Sequence, residues 1–430
     1  MWRNKQNLIL SGVVSIALLL FLSMSIYGSI KSGSNSSNAR KSIAEEELSN
    51  KRRIANPAVS NKQEGSKEGK SSENQVVNSI TQSKSTSNNN MEGNTAGKTN
   101  EPDPLYIKAV GDVVLGRGVE YHLNNQEKDY TYPFQYVADI LRAGDIVFGN
   151  LEVPMTESNH SLDPKGKYVI KSREKAAEGI KYAGFNVLNL ANNHIMDYYE
   201  KGLFDTIATL EKYNIEHCGA GKNIDEARIP AVLKVRDTKI AVLGYTDMAE
   251  YVFKGNPMIS FAAGEDKSGV ASRKYELIKE DIEKIRESVD IIIISFHWGV
   301  EDSFEVAEEQ KEFAYKIIDD GADIIFGHHP HKFQGVEIYK GKPIVYSMGN
   351  FIFDQNDPLK QESFIVDMVF IDKKLASLEL LPVRTISKTH IIMPKGEEAI
   401  EILKRELELC GKLGSKCAIA DDKIVFNIKQ

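Results

Sequence analysis

Cysteine is scarce in this sequence: Cys218, Cys410 and Cys417 are the only three in 430 residues, and no Cys-x-x-Cys pair exists. That argues against a cysteine-built zinc site. Cys218, in Glu216-His217-Cys218-Gly219, reads as a small buried side chain. Cys410 and Cys417 lie seven positions apart and could close a small loop if their compartment oxidises them. An excess of basic residues is also missing: 54 Lys and Arg face 61 Asp and Glu, for a formal charge of −7. The electrostatic footprint of a nucleic-acid binder is therefore absent, and no nucleic-acid partner is expected. Charge is missing altogether from Leu8 to Ile30, and aromatic residues are missing from 31 to 103.

The first of these gaps contains the run Ile16-Ala17-Leu18-Leu19-Leu20-Phe21-Leu22. A helix of about 20 apolar residues spans a bilayer, and Arg3 and Lys5 before it favour a cytoplasmic N-terminus. A cleaved signal peptide is the rival reading; it has a shorter apolar stretch and an Ala-x-Ala exit, and no clean exit of that kind is found here. No cysteine follows the segment, which speaks against a lipoprotein anchor. The expectation is an uncleaved signal anchor at 8–30 after a cytoplasmic 1–7, giving a single-pass protein of the cell membrane with its C-terminal part outside. The second gap, 31–103, is rich in Ser, Asn, Lys and Gly. It cannot bury enough apolar surface to offset its ordering entropy. It reads as a disordered extracellular tether, with at most a transient helix at 45–54.

What is present begins at residue 104, and 41% of the whole chain is apolar, enough for a sizeable core. Strands are expected at 105–110, 145–148, 186–190, 239–244, 290–296, 322–326 and 344–346. Ile291-Ile292-Ile293-Ile294 suits a strand buried on both faces. Amphipathic helical patterns lie between them, at 136–143, 173–183, 201–212, 272–287 and 305–320. Alternation of this kind implies βαβ units with right-handed crossovers, an α/β fold. Ligands of such folds bind beyond the carboxyl ends of the strands. The main domain is taken as 104–390 and a terminal extension as 391–430, with a helix at 397–409 and a strand at 423–428.

Most of these strands run into a polar motif. Taken singly, Gly111-Asp112 is commonly a turn, Asn193-His194 a helix cap, and His297 a core histidine. His329-Pro330-His331 is harder to dismiss, because residues two apart in an extended segment can face one metal. Joint placement decides the matter. His194, His297, His329 and His331, four of nine histidines, fall at strand ends beside Asp112, Asn150, Glu152 and Asn193. That pattern points to a metal or polar catalytic centre.

In this order, Gly111-Asp112, Gly149-Asn150-Leu151-Glu152, Asn192-Asn193-His194-x-x-Asp197, His297-Trp298-Gly299-x-Glu301, Gly327-His328-His329-Pro330-His331 and Ser347-Met348-Gly349-Asn350-x-x-Phe353-Asp354 resemble the metallo-dependent phosphoesterase pattern. More closely the chain resembles the CapA family of bacterial poly-γ-glutamate capsule synthesis, over about residues 105–385. The resemblance implies a calcineurin-like metallophosphoesterase sandwich, mixed sheets flanked by helices. It makes Asp112 a ligand of one metal and Glu152 the bridging carboxylate. Asn193, His297 and His329 would hold a second metal, with His331 returning to the first. His194 takes the place of the acid that protonates a leaving group. Such ligands suit Mn, Fe or Zn, as one ion or two. Asp197 and Glu301 are candidate partners that orient imidazoles, with a surface or capping role the equal alternative. Arg117, Asn150, Asn350 and Asp354 are candidates for the cleft wall, and Trp298 more often packs than stacks on a ligand.

One departure stands out: where the phosphoesterase pattern has Asp-x-His, this chain has Val114, and Glu152 replaces the usual bridging Asp. Arg117 nearby could disfavour a metal or hold an anionic group. Three functions follow. The first is an accessory role in synthesis or export of poly-γ-glutamate or a similar anionic polymer, beside membrane-embedded synthase or export subunits. The second is an extracellular metal-dependent phosphoesterase, so that any catalysis would be metal-dependent hydrolysis. The third is a non-catalytic module that binds acidic polymer.

Overall fold

The computed structural model describes residues 103–251 and 259–428. The expected anchor at 8–30 and tether at 31–103 lie outside the described residues, apart from Asp103. Among the described residues no helix is long and apolar enough to cross a membrane.

Strands β1 (Leu105–Val113), β2 (Ile146–Leu151), β3 (Val187–Asn189) and β4 (Glu216–Cys218) run parallel, side by side. The chain then builds a second sheet of six strands. These are β5 (Ala231–Val235), β6 (Thr238–Thr246), β7 (Ile291–His297), β8 (Ile324–His328), β9 (Phe333–Tyr339) and β10 (Lys342–Met348), in the order β9-β10-β8-β7-β6-β5. It returns to the first sheet through β11 (Asn350–Ile352), parallel to β1, and the antiparallel pair β12 (Glu362–Ile371) and β13 (Lys374–Ile386). Short strands β14 (His390–Ile392), β15 (Cys417–Ala420) and β16 (Lys423–Phe426) complete ten strands. The terminal residues thus extend the first sheet, since β16 pairs with β13.

Helices cover the outer faces: α1 (Arg117–Asn125), α2 (Ala177–Ala183) and α3 (Tyr199–Lys212), then α4 (Tyr275–Ile285) and α5 (Glu308–Asp319). Near the end, α6 (Glu397–Lys412) instead joins the core between the sheets through Ile402 and Leu403. The isoleucine run shows why the sheets face each other. Ile291 and Ile293 join Ile107, Phe148 and Val187 in the core between the sheets. Ile292 and Ile294 point the other way, into the layer formed with Ile278 and Ile317 of α4 and α5. All four are fully buried, and each such side chain contributes roughly 1.5–3 kcal/mol. Period-two alternation thus delivers one strand to two cores. The observed architecture is a mixed α/β sandwich with helical outer layers.

Elements differ from expectation mainly at their ends. The helix expected at 136–143 shrinks to Ala138–Arg142, and that at 173–183 opens with a 3-10 turn, Glu174–Ala176. The hairpin β12–β13, the longest strands among the described residues, was not among the expected elements. Cys410 and Cys417 are free thiols, so the loop they could close is open here.

Candidate metal centre

Two glycines let the polar strand ends approach one another. A Cβ on Gly111 would lie 1.9 Å from the Gly349 carbonyl oxygen, and one on Gly327 would lie 1.8 Å from that of Tyr346. Neither backbone could come so close with a side chain in the way. The Asp112 amide in turn donates to the Gly349 carbonyl at 2.9 Å. Registers then align the ends: Asp112 sits opposite Asn150 and Asn350, and His297 opposite Thr246 and His328.

The six expected ligands converge. Asp112, Glu152 and His331 form one group of donors, and Glu152, His297 and His329 another, each with ligand atoms within 4.8 Å of one another. Glu152 belongs to both. His297 Nε2 lies 2.9 Å from Asn193 Oδ1, 3.1 Å from His329 Nδ1 and 3.7 Å from Glu152 Oε1. His331 Nδ1 lies 3.4 Å from Asp112 Oδ2. All of these residues are buried.

The donors fit a cation. Both Glu152 carboxylate oxygens and Asp112 Oδ2 are buried without a hydrogen-bond partner; an ionised carboxylate so placed costs several kcal/mol unless a cation meets it. Burial, then the Asp112 charge, pushes the Glu152 carboxyl well above its usual range. Burial opposes ionisation of Asp112 too, but the His328 and His331 imidazoles hold it well below the ordinary value. Burial, then His329, lowers His297 far below free imidazole; burial, then His331, lowers His329 to about 3. Neutral imidazoles offer the lone pairs that a divalent ion takes. His329 and His331 also adopt left-handed backbone, with φ of 97° and 58°. Such strain costs of order 1–3 kcal/mol per residue and persists where the surroundings over-determine the site.

A model of the family described as bacterial capsule synthesis protein PGA_cap matches residues 106–355, a span that holds every one of these donors. The chain belongs to that family. PGA biosynthesis protein CapA of Bacillus subtilis is 33% identical over 332 residues, covering 77% of this chain and 84% of its own. Capsule biosynthesis protein CapA of Bacillus anthracis is 32% identical over 295 residues, covering 66% and 68%. A probable polyglutamine synthesis accessory protein of Mycobacterium tuberculosis is 28% identical over 329 residues, covering 66% and 85%. Among solved structures, the calcineurin-like phosphoesterase YfkN of Bacillus subtilis aligns with 73% of this chain and 99% of its own, at 13% identity and a TM-score of 0.39.

Around the donors of this PGA_cap chain, the other expected residues fall into different places. Asn150 is a buried hub: its Nδ2 donates to Asp112 Oδ1 at 2.8 Å and faces His297 Nδ1 at 3.2 Å, while its Oδ1 accepts from Asn189 and Asn192. Asn350 Oδ1 lies 2.9 Å from His331 Nδ1 and orients that ring. Asp354 is tied to the start of α1, accepting from the Gly118 amide at 3.0 Å and pairing with Arg117 Nε at 3.2 Å. Arg117 is part-exposed, with its guanidinium over Phe353, whose ring packs on His331. Trp298 packs: it is fully buried, stacks on Phe296 and donates to the Tyr346 carbonyl. Val114 is buried in the apolar core and supplies no donor.

Glu301, open to either an imidazole-orienting or a surface role, is exposed on the turn after β7, and its charge is among those that raise Glu152. Asp197 does contact a ring: its Oδ2 lies 2.8 Å from His194 Nδ1. Burial, then the charge of Lys165, lowers His194 to about 4. Two residues beside the site escaped the sequence reading. His328, fully buried, has its Nδ1 3.3 Å from Asp112 Oδ1; its place inside the histidine motif was the available signal. Lys165 lies in no motif, and nothing in the sequence marked it.

Proposed function

We propose that this chain is a membrane-anchored accessory protein of poly-γ-glutamate capsule synthesis or export, working outside the cell through a metal-dependent cleft. Membership of the PGA_cap family over residues 106–355 carries this reading. The charge-free run from Leu8 to Ile30 supports an anchor, and the Ser/Asn-rich 31–103 supports a tether that carries the cleft away from the bilayer. Asp112, Glu152 and His331 would hold one ion, and Glu152, Asn193, His297 and His329 a second. Mn, Fe and Zn all suit that donor set. A divalent ion held by these residues would supply Lewis acidity and lower the pKa of water in the cleft. His194 Nδ1 is engaged by Asp197, leaving Nε2 as the ring atom free to meet a substrate oxygen. The Arg117 guanidinium at the rim suits a carboxylate of the polymer or of a synthase partner.

The test is genetic and chemical together. Deletion of the gene is expected to abolish surface polymer, with wild-type protein restoring it and Glu152→Ala or His331→Ala restoring little. Normal capsule in the deletion strain would remove the proposal. Full capsule from the Glu152→Ala protein would keep the pathway and discard the cleft.

A second reading, an extracellular phosphoesterase, is favoured by one observation: the two donor groups share Glu152, as in paired-ion sites that clamp attacking and leaving oxygens. Turnover of a phosphomonoester or phosphodiester by metal-loaded protein, lost in His194→Ala, would support it.

A further inference from the structure

Lys165 is the ammonium buried against the candidate centre. It lies on a short 3-10 segment, Asp163–Tyr168, between β2 and α2, and its side chain is 3% exposed. Its Nζ lies 2.9 Å from the Asn193 carbonyl oxygen, 3.1 Å from His194 Nδ1 and 2.5 Å from Asp197 Oδ1. A plain loop staple would need only the last of these. Asp197 is already well served, since its Oδ2 accepts from the Ile170 amide at 2.8 Å and meets His194 Nδ1. The other two contacts of Lys165 fall on consecutive residues that border the cluster. Asn193 Oδ1 reaches His297 Nε2 at 2.9 Å, and His194 Nδ1 meets the Asp197 carboxylate at 2.8 Å with the Lys165 ammonium beside it.

We infer that Lys165 is a positioning residue of the metal centre, fixing the Asn193 backbone so that its side-chain oxygen joins His297 and His329 around the second ion position. This rests on the metal-centre reading given above. Asn192 secures the same turn from the opposite side: its Oδ1 accepts from the amides of His194 and Ile195, and its Nδ2 donates to the Leu151 carbonyl. Asn193 is thus gripped from both flanks, by a side chain close in sequence and by one 28 residues away.

The experiment titrates Co²⁺ into the metal-free full chain in detergent, reading affinity by calorimetry and ligand geometry by the visible spectrum. Lys165→Met alone would strand the buried Asp197 charge. The decisive comparison is therefore Lys165→Met/Asp197→Asn against Asp197→Asn, both of which retain an acceptor for the Ile170 amide. The double variant is expected to bind its second Co²⁺ roughly 10–100-fold more weakly than the single variant, the usual effect of losing an outer partner, with an altered spectrum. Equal affinity and equal spectra in the two would overturn the role of Lys165 and leave a structural ion pair. Should that double variant fail to fold, Lys165→Leu/Asp197→Asn carries the test, again against Asp197→Asn: a weakened second site supports the role, and equal affinity ends it. Wild-type protein that binds no Co²⁺ at all would overturn the metal-centre reading itself, and this inference with it.

Discussion

Glu152 concentrates the chemistry of the site in one side chain. It is shared by both donor groups, and neither of its oxygens has a hydrogen-bond partner. Without metal, such a carboxyl is a burden on the fold; with metal bound, it would be the donor common to both positions. Glu152→Gln should therefore separate the two properties. Metal-free protein is expected to gain about 1–3 kcal/mol of stability as the buried acid is replaced by a neutral amide. Divalent-ion binding is expected to collapse. Urea denaturation in EDTA, paired with calorimetric titration, reads both; a variant less stable than wild type without metal would contradict the argument. At this scale the sequence was informative where motifs named donors and uninformative where space did. Asp112, Glu152 and the histidines lie in short patterns at strand ends. Lys165 reaches Asp197 across 32 positions, a contact that no local spacing encodes.

Among the elements, α6 carries an instructive anomaly. Ala399, Ile402, Leu403, Leu409 and Cys410 form its buried face, and Glu406 stands among them at 1% exposure. Its Oε1 accepts from the Cys410 thiol at 3.1 Å, and its Oε2 has no partner. Burial pushes its pKa well above the ordinary 4.5. The folded chain keeps this proton at pH values where the unfolded chain releases it. Stability from this group is therefore present below the ordinary glutamate pKa and declines as pH rises. Glu406→Gln should match wild type near pH 4.5 and exceed it by about 1–3 kcal/mol at pH 8; parallel pH profiles would refute the assignment. The helix itself was legible because its apolar spacing is strong, and the buried acid was not, because a glutamate on that spacing looks like a boundary residue. Similarly, the isoleucine strand β7 was plain from composition. The long β12–β13 hairpin was less legible, because its first strand opens on a continuous buried run and period-two alternation is only partial along the pair.

For the molecule as a whole, the buried imidazoles impose a pH window. His194 and His329 titrate at about 4 and about 3, against 6.5 for the free side chain. On unfolding they regain their ordinary affinity for protons, so stability falls as pH drops below about 6.5 and continues to fall toward those lower values. At pH 5 the loss is roughly 2 kcal/mol for each. Urea midpoints of metal-free protein at pH 7 and pH 5, compared with those of His329→Gln, should show the variant losing less; identical shifts would count against it.

The two donor groups have one more property. Asp112 and Glu152 come from the ten-stranded sheet, whereas His297, His329 and His331 come from the end of β7 and the turn after β8 in the six-stranded one. Each ion position thus draws donors from both halves of the sandwich. A bound ion would act as a rivet through two plates, and its affinity would measure how squarely the plates meet. Any partner that pried the sheets apart, even at their far ends, would loosen the metal without touching it.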